Sequence, residues 1–452
     1  MFLNMEKGAL VRTASVLGLA FLSFCLCLRN EFVFDDKAVF DQTLAGLTSP
    51  SQVIRQPWLH GNDWRPFGLL FLYAERQFFG DWVPAFRITG VLLHGIAALA
   101  LLRLLRSLTE ERVAWLSALL FAAHPAHAEA VSMAYGQLEL LAALFGFLAL
   151  DRYVKAVRAD SLRQLLPALA LALLAACSKE SAIILFALAI LIRGFFLRPN
   201  EYGRTRWFSK FELLLAIPGS IVFVLRVFVL GHIFDPTPAL TSGYPLAARL
   251  KTVIVVLGTM LQLSLFPTGQ TLHYGHLRFA IFGHPWTQIA WIAAASVLGM
   301  AAARDIGWQK VSFGVSWFVV GLFPVLNIVP ALVLVAERNL YMPIAGVIFV
   351  AASWTCEKRP WHSVQRVAVV VVLATCAAAG NAVVLQWRDE ETVWRSAIRA
   401  HPDSPMAHLF LADQLMRMPG REEEAKQEYR KALQLNPELE KAESGLEALG
   451  RN

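Results

Sequence analysis

The chain alternates long apolar runs with short polar breaks. Runs of Leu, Val, Ala and Phe with almost no charge lie near 14–28, 83–103, 112–123, 129–150, 164–177, 181–197, 211–231, 251–267, 286–303, 311–335, 340–354 and 367–386. A helix needs about 20 residues to cross roughly 30 Å of hydrocarbon, so runs of this kind predict membrane spans. The pattern predicts an all-α, polytopic helical membrane protein. The breaks at 103–112, 151–163, 193–210, 304–310 and 355–366 each carry two or more Lys or Arg, which places them in the cytoplasm. Alternation then works from the first run to 197 and from 286 to 386, but fails by one between 211 and 285. The run at 251–267, which follows Arg249 and Lys251 and stops at Pro267, is the one expected not to cross. It is expected to be re-entrant or to lie flat at the interface. About 11 crossings remain, with the N-terminus cytoplasmic and the C-terminus outside.

Two stretches depart from this pattern. Residues 29–82 are polar, contain Trp58, Trp64 and Trp82, and form the first external loop. They are expected to form short interfacial helices with the tryptophans at headgroup depth. From 387 to 452 the sequence turns charged and amphipathic, and it repeats. Trp394, Ala397 and Pro402 recur as Tyr429, Ala432 and Pro437, a spacing of 35. Ala425, Tyr429, Ala432 and Pro437 fit a tetratricopeptide repeat, and stacks of fewer than three such repeats are weak alone. The expected division is a membrane domain over 1–386 and a short extracytoplasmic repeat module over 387–452, leaning on the membrane domain.

Composition agrees: 56% of residues are hydrophobic and 17% charged. The net charge of +7 comes from basic residues in the short loops and does not indicate nucleic acid. The five cysteines, Cys25, Cys27, Cys177, Cys356 and Cys376, sit in or beside apolar runs without metal spacing and read as small hydrophobes. Lys7 and Arg12 precede the first run, and no small-x-small cleavage site follows it, so it reads as an uncleaved span.

With this topology, four polar clusters fall outside. They are Asp35-Asp36, His124 to Glu129 in HPAHAE, Ser178 to Ser181 in SKES, and Ala336 to Tyr341 in AERNLY. Charges in a membrane domain cost about 2.5–3.5 kcal/mol each at a span centre, so convergence on one face points to a site there. Acids (Asp35, Asp36, Glu129, Glu180, Glu337), cations (Arg65, Lys179, Arg338) and histidines (His124, His127) suit transfer from an anionic lipid carrier to a hydroxyl. A carboxylate takes the hydroxyl proton, and Lys or Arg holds the phosphate as the sugar–phosphate bond breaks. Each piece has a structural alternative. Asp35-Asp36 alone is more often a helix stop, Lys179-Glu180 and Glu337-Arg338 form ion pairs as readily as a site, and His94 inside an apolar run suits a satisfied core histidine. Two histidines three residues apart without a third ligand assign no metal, and no other cofactor is expected.

In order, FVFDD, WRPFGLLF, LLH, LFAAHPAHAEAVSMAYGQLELLAALF, CSKESAI, AERNLYMP and the repeats resemble the transmembrane and tetratricopeptide repeat-containing O-mannosyltransferases and their bacterial relatives. The resemblance spans nearly the whole chain. It implies a GT-C fold and inverting transfer of a sugar, mannose in the family, from a polyprenyl-phosphate carrier to a hydroxyl of a protein or glycan. By position, it implies Asp35 or Asp36 as the base. It implies Lys179, Arg338 and Arg65, with Glu180 and Glu337 beside them, at the lipid phosphate. His124, His127, Glu129, His94 and Tyr341 would line the site. The chain departs from the family at Gly136-Gln137-Leu138-Glu139, where relatives often carry Gly-Arg-x-Glu, and in having a short repeat array. The short array and the lack of a retention signal point to a bacterial inner membrane. Expected partners are membrane lipids, the lipid-linked donor, and a protein bound by the repeats. A non-catalytic scaffold is the alternative, but it needs no acid–cation face. A transporter would place its charges near the bilayer midplane instead.

Overall fold

Apolar sequence without internal breaks becomes helix, and the breaks between runs show where the chain does something else. The computed structural model describes residues 2–47, 49–55, 57–58, 63–197, 208–232, 245–274, 277, 281, 283–328, 333–357 and 362–450. His276 and most of the basic loop 193–210 lie outside the described residues. In chain order the helices are α1 (Phe2–Phe24), α2 (Asp35–Lys37), α3 (Pro50–Arg55), α4 (Pro66–Phe79), α5 (Val83–Arg106), α6 (Glu111–Ala123), α7 (Ala128–Ser132), α8 (Gln137–Arg158), α9 (Leu162–Ser178) and α10 (Leu185–Phe196). They continue with α11 (Lys210–Leu230), α12 (Leu246–Leu265), α13 (Trp286–Ile306), α14 (Trp308–Leu322), α15 (Ile344–Cys356), α16 (Ser363–Val384), α17 (Glu390–Ala400), α18 (Pro405–Leu415), α19 (Glu422–Leu435) and α20 (Glu440–Gly450). The described residues are all-helical apart from an isolated bridge between Trp58 and Asp63. Ser161, Ser209, Asp389 and Ser404 accept backbone N–H bonds at the starts of α9, α11, α17 and α18, satisfying donors that a helix start leaves open.

Among the described residues, six helices are long and apolar enough to cross a membrane: α1, α5, α11, α12, α13 and α16. Protein covers only 17% of the apolar window of each of α11, α13 and α16. Apolar surface left uncovered on helices of this length is satisfied by hydrocarbon, and the chain is a multi-pass integral membrane protein. Other segments expected to cross form shorter helices, such as α6 and α15.

The run expected at 129–150 is not one helix. It breaks at 133–136, and the pieces bend by 115°. The Asp36 carboxylate accepts the backbone N–H of Ala134 and Tyr135 and so takes them out of the helical ladder. A Cβ on Gly136 would stand 2.2 Å from the Ala130 carbonyl oxygen, so this turn closes only on glycine. The run expected at 311–335 also stops early. Its α-helix ends at Leu322, and a single turn of 3-10 helix carries Phe323 to Val325.

Helix α12 is long enough to cross, yet its contacts lie at one end of the bundle. Near its start, Arg249 donates to the Ile328 carbonyl (2.8 Å) and Lys251 to that of Gly283 (2.8 Å), just ahead of α13. Near its finish the Ser264 carbonyl meets His124 Nε2 at 3.1 Å, just past α6. A 20-residue helix is about 30 Å long, so α12 lies across this end of the bundle.

Two cores hold the molecule together. One runs through α1, α5, α6, α8–α12, α14 and α15. The other joins Val33, Phe40, Leu69 and Phe86 to Met133 and Tyr135, and to Trp394, Leu411 and Tyr429 of the C-terminal helices. Within it Trp58 is 3% exposed, and Trp64 sits 7% exposed in the first core, so both pack into protein; Trp82 is exposed. Around α2, the Glu31 N–H donates to the Arg388 carbonyl (2.8 Å), Lys37 pairs with Glu390, and the Phe34 ring meets Trp394 edge-on at 6.1 Å. Phe34 has φ 50, a conformation costly for a bulky residue, and these contacts hold it there.

Trp394→Ala should therefore loosen the segment ahead of α4 as well as the C-terminal helices. Losses of this size in a core cost about 3–5 kcal/mol. Limited proteolysis in detergent is expected to cut the variant within 30–55 well before the wild type; equal protection of that segment would show that the two cores are independent.

Candidate active site

Asp36 organises the local backbone. It is fully buried, pairs with fully buried Arg87 at 2.9 Å, and accepts the Ala134 and Tyr135 amides at 3.1 and 2.8 Å. Arg87 also donates to the Glu31 carbonyl. Every lone pair that matters on Asp36 is engaged inside the protein, which leaves no room for it as a base. Of the two adjacent acids, Asp35 is the one with access. Its side chain is 21% exposed, and its nearest cation is Arg338 Nη2 at 3.5 Å. Burial, opposed by Arg338 and reinforced by Glu129, Asp36 and Asp63, raises the Asp35 pKa, making it a stronger proton acceptor once ionised.

The other polar clusters meet at Asp35. Arg338 pairs with Glu129 through Nη1, and its backbone N–H donates to the same carboxylate at 2.8 Å. Its guanidinium lies 5.9 Å from the centre of the Tyr135 ring, and that of Arg65 lies 5.4 Å from the same ring. Arg65 also binds the Tyr135 hydroxyl, holds Glu180 with two bonds of 2.7 Å, and reaches Asp63 at 3.1 Å. Two arginines therefore flank one phenol beside Asp35. Carboxylates outnumber cations here, so each cation already has a partner, and Asp35 is the acid held at the longest distance.

Lys179 is nine-tenths buried and forms an ion pair with Glu139. Its charge is neutralised there, so it does not stand free at an expected phosphate position. Glu180 and Glu337 hold donors in place. Glu337 accepts from Gln270 Nε2 (2.6 Å), the Thr271 N–H (2.9 Å) and the Tyr274 hydroxyl (2.7 Å). Burial, with the Glu129 charge behind it, raises its pKa to about 8 against the pull of those three donors.

The histidines lie beneath the site. His94 and Tyr341 are fully buried and share a 2.7 Å bond; since His94 Nε2 meets the Ala122 carbonyl at 3.1 Å, Nε2 carries the proton and Nδ1 accepts from Tyr341. His127 is fully buried against Phe121 and Tyr341, with ring centres 4.4 and 4.5 Å away. His94, His127 and Tyr341 are thus core groups and do not line an open site. His124 accepts the Ala126 amide at 3.2 Å and donates to Ser264, stitching the start of the polar segment to α12. Among the described residues no three His, Cys, Asp or Glu side chains gather as metal ligands.

Sequence reasoning missed Arg87, Tyr135, Asp63 and Glu139. Arg87 carried a signal: an arginine inside an apolar run is costly unless an acid pairs with it. Tyr135 and Asp63 had none, because only the fold brings them between Arg65 and Arg338.

Residues 65–232 match the family described as dolichyl-phosphate-mannose-protein mannosyltransferase. A Protein O-mannosyl-transferase of Caenorhabditis elegans is 22% identical over 459 residues, covering 94% of this chain and 63% of that protein. Protein O-mannosyl-transferase TMTC4 of Mus musculus is 22% identical, covering 87% and 62%. Protein O-mannosyl-transferase Tmtc2 of Drosophila melanogaster is 27% identical, covering 66% and 33%. The chain spans less than two thirds of the length of these relatives. A solved oligosaccharyltransferase of Archaeoglobus fulgidus, tethered to an acceptor peptide, aligns with a TM-score of 0.42 at 13% identity over 93% of this chain and 59% of that one. The motifs pointed to relatives of the O-mannosyltransferase kind, and those are the proteins it is similar to.

Two outcomes are expected. Asp36→Asn leaves Arg87 buried and unpaired, which costs about 3–5 kcal/mol. It should lower the amount of folded protein and its melting temperature in detergent, whereas Asp35→Asn should change neither. The second concerns pH. Glu337 holds its proton more tightly folded, at about 8, than at the ordinary 4.5. Its contribution to stability is therefore complete below about 4.5 and is lost as pH rises through about 8. The fall in melting temperature from about pH 5 to pH 9 should be shallower in Glu337→Gln; parallel curves would remove Glu337 as the titrating group.

Proposed function

We propose that this chain is an integral-membrane glycosyltransferase. It moves a sugar, mannose by its relatives, from a polyprenyl-phosphate carrier to a protein hydroxyl on the extracytoplasmic face, with inversion. The observation that carries the reading is Asp35. It is a partly exposed acid in a cluster whose other acids are engaged at shorter distance, and it faces an arginine it barely holds. The family match and the names of the relatives supply the substrate class.

The chemistry runs as follows. The donor phosphate settles on the Nη2 edge of Arg338, with Arg65 across the Tyr135 ring. The long Asp35–Arg338 contact is the one it replaces, because the bonds to Glu129 are shorter. Asp35, released and now beside an anion, accepts the proton of the acceptor hydroxyl. The acceptor oxygen attacks the anomeric carbon from the face opposite the phosphate, the carbon–oxygen bond to phosphate breaks, and the phosphate leaves with its added charge on the arginine. A polar site at an interface leaves the lipid chain in hydrocarbon while the reaction runs in water-accessible space. The C-terminal helices contact the Asp35 segment directly and so lie on the same face. Their repeat pattern suits docking of a protein chain, since stacked helical repeats present binding surfaces.

Asp35→Asn should lower transfer from polyprenyl-phosphate-linked mannose to a threonine peptide by at least about a hundredfold, the usual range for removing a catalytic base. Binding of the donor should persist. The measurement is transfer of radiolabelled mannose by purified protein in nanodiscs, alongside donor binding by filter assay. Full transfer by the variant would remove Asp35 from the reaction.

A further inference from the structure

A second cavity stands beside the acid–arginine cluster, of about 480 Å³, in the range of small-ligand sites. It lies between α12, the start of α13 and the turn that follows α17. Thr259, Thr268, Thr287, Gln262, Gln288 and His401 line it. No Lys, Arg, Asp or Glu is among its described lining residues. Threonine hydroxyls and glutamine amides make up much of this lining, and such a wall suits a ligand that itself carries hydroxyl or amide groups. Tyr274 forms part of the wall and donates to Glu337, the neighbour of Arg338. The cavity thus shares one side chain with the carboxylate that precedes Arg338 in the chain. His401 follows α17, whose other end contacts the segment that carries Asp35.

We propose that this cavity holds the uncharged part of the acceptor, a peptide segment of hydroxyl and amide side chains flanking the serine or threonine that is modified. This rests on the transferase reading above. The donor fits it poorly, because a phosphate needs cations, and those stand at Arg338 and Arg65. A flanking lysine or aspartate would meet no Lys, Arg, Asp or Glu among the described lining residues and would lose its hydration, which makes charge beside the acceptor residue the property the cavity rejects.

The test uses full-length protein in nanodiscs, polyprenyl-phosphate mannose, and fluorescein-labelled octapeptides with one central threonine. One peptide has Ser, Asn and Gln flanks, and another has Lys and Asp flanks. Direct binding is read by fluorescence anisotropy, and transfer by radiolabel. The uncharged peptide should bind at least about tenfold more tightly. Thr287→Trp, an exposed position whose indole fills the cavity, and His401→Ala should each weaken peptide binding, and they should raise the KM for peptide with kcat and donor KM unchanged. Asp35→Asn should bind the peptide as the wild type does. A rise in donor KM in Thr287→Trp would make the cavity a donor-sugar seat and overturn the proposal, as would equal binding of both peptides or no effect of either variant. If the wild type binds peptide in the cavity but transfers no sugar, the transferase reading fails while the acceptor cavity stands.

Discussion

A fully buried ion pair, Asp36 with Arg87, underlies the polar cluster around Asp35. Two charges out of water are tolerable only when each finds partners for its remaining bonds. Asp36 finds them in the Ala134 and Tyr135 amides and Arg87 in the Glu31 carbonyl. The consequence is geometric. Taking those amides interrupts what is otherwise one continuous apolar run, and the interruption turns Tyr135 toward Arg65 and Arg338. The same pair anchors Asp35 one residue away, with its carboxylate on the accessible side. One acid of the pair holds the local backbone, and the other faces Arg338.

The site is held by mutual neutralisation. Arg65 lies between Glu180 and Asp63, Arg338 between Glu129 and Asp35, and Lys179 against Glu139. Such a network resists unpaired charge, so an anionic substrate enters by exchange with the partner held at the greatest distance. Here that partner is Asp35, at 3.5 Å from Arg338. Rigidity comes from the second core, in which the segment between α1 and α4 and the C-terminal helices bury their aromatic side chains against each other. The repeat-like helices are thus part of the support for Asp35, and docking on them is mechanically close to the chemistry.

Helix α12 divides the polar from the apolar. It spans this end of the bundle, with Thr259 and Gln262 toward the polar cavity and Leu257, Leu261 and Leu265 toward an apolar groove between α13, α14 and α15. Its opening Arg249 and Lys251 bond to backbone carbonyls at that end.

Much was legible in the sequence, and the reasons are local. Hydrophobic runs mark helices because hydrocarbon and a packed bundle both exclude unsatisfied backbone. Basic loops mark sides, and from the sides alone four polar clusters converge on one face. The amphipathic change after Gln386 and its 35-residue spacing mark a separate set of helices. Tertiary structure decided what each polar residue does. Asp35 and Asp36 are chemically identical in sequence and differ only because Arg87 and two amides surround one of them. Lys179 reads as a phosphate ligand until Glu139 is found against it, and His94, His127 and Tyr341 read as site residues until packing buries them. A side chain's type is written in the chain, but its charge state, exposure and partner depend on which distant segments fold against it.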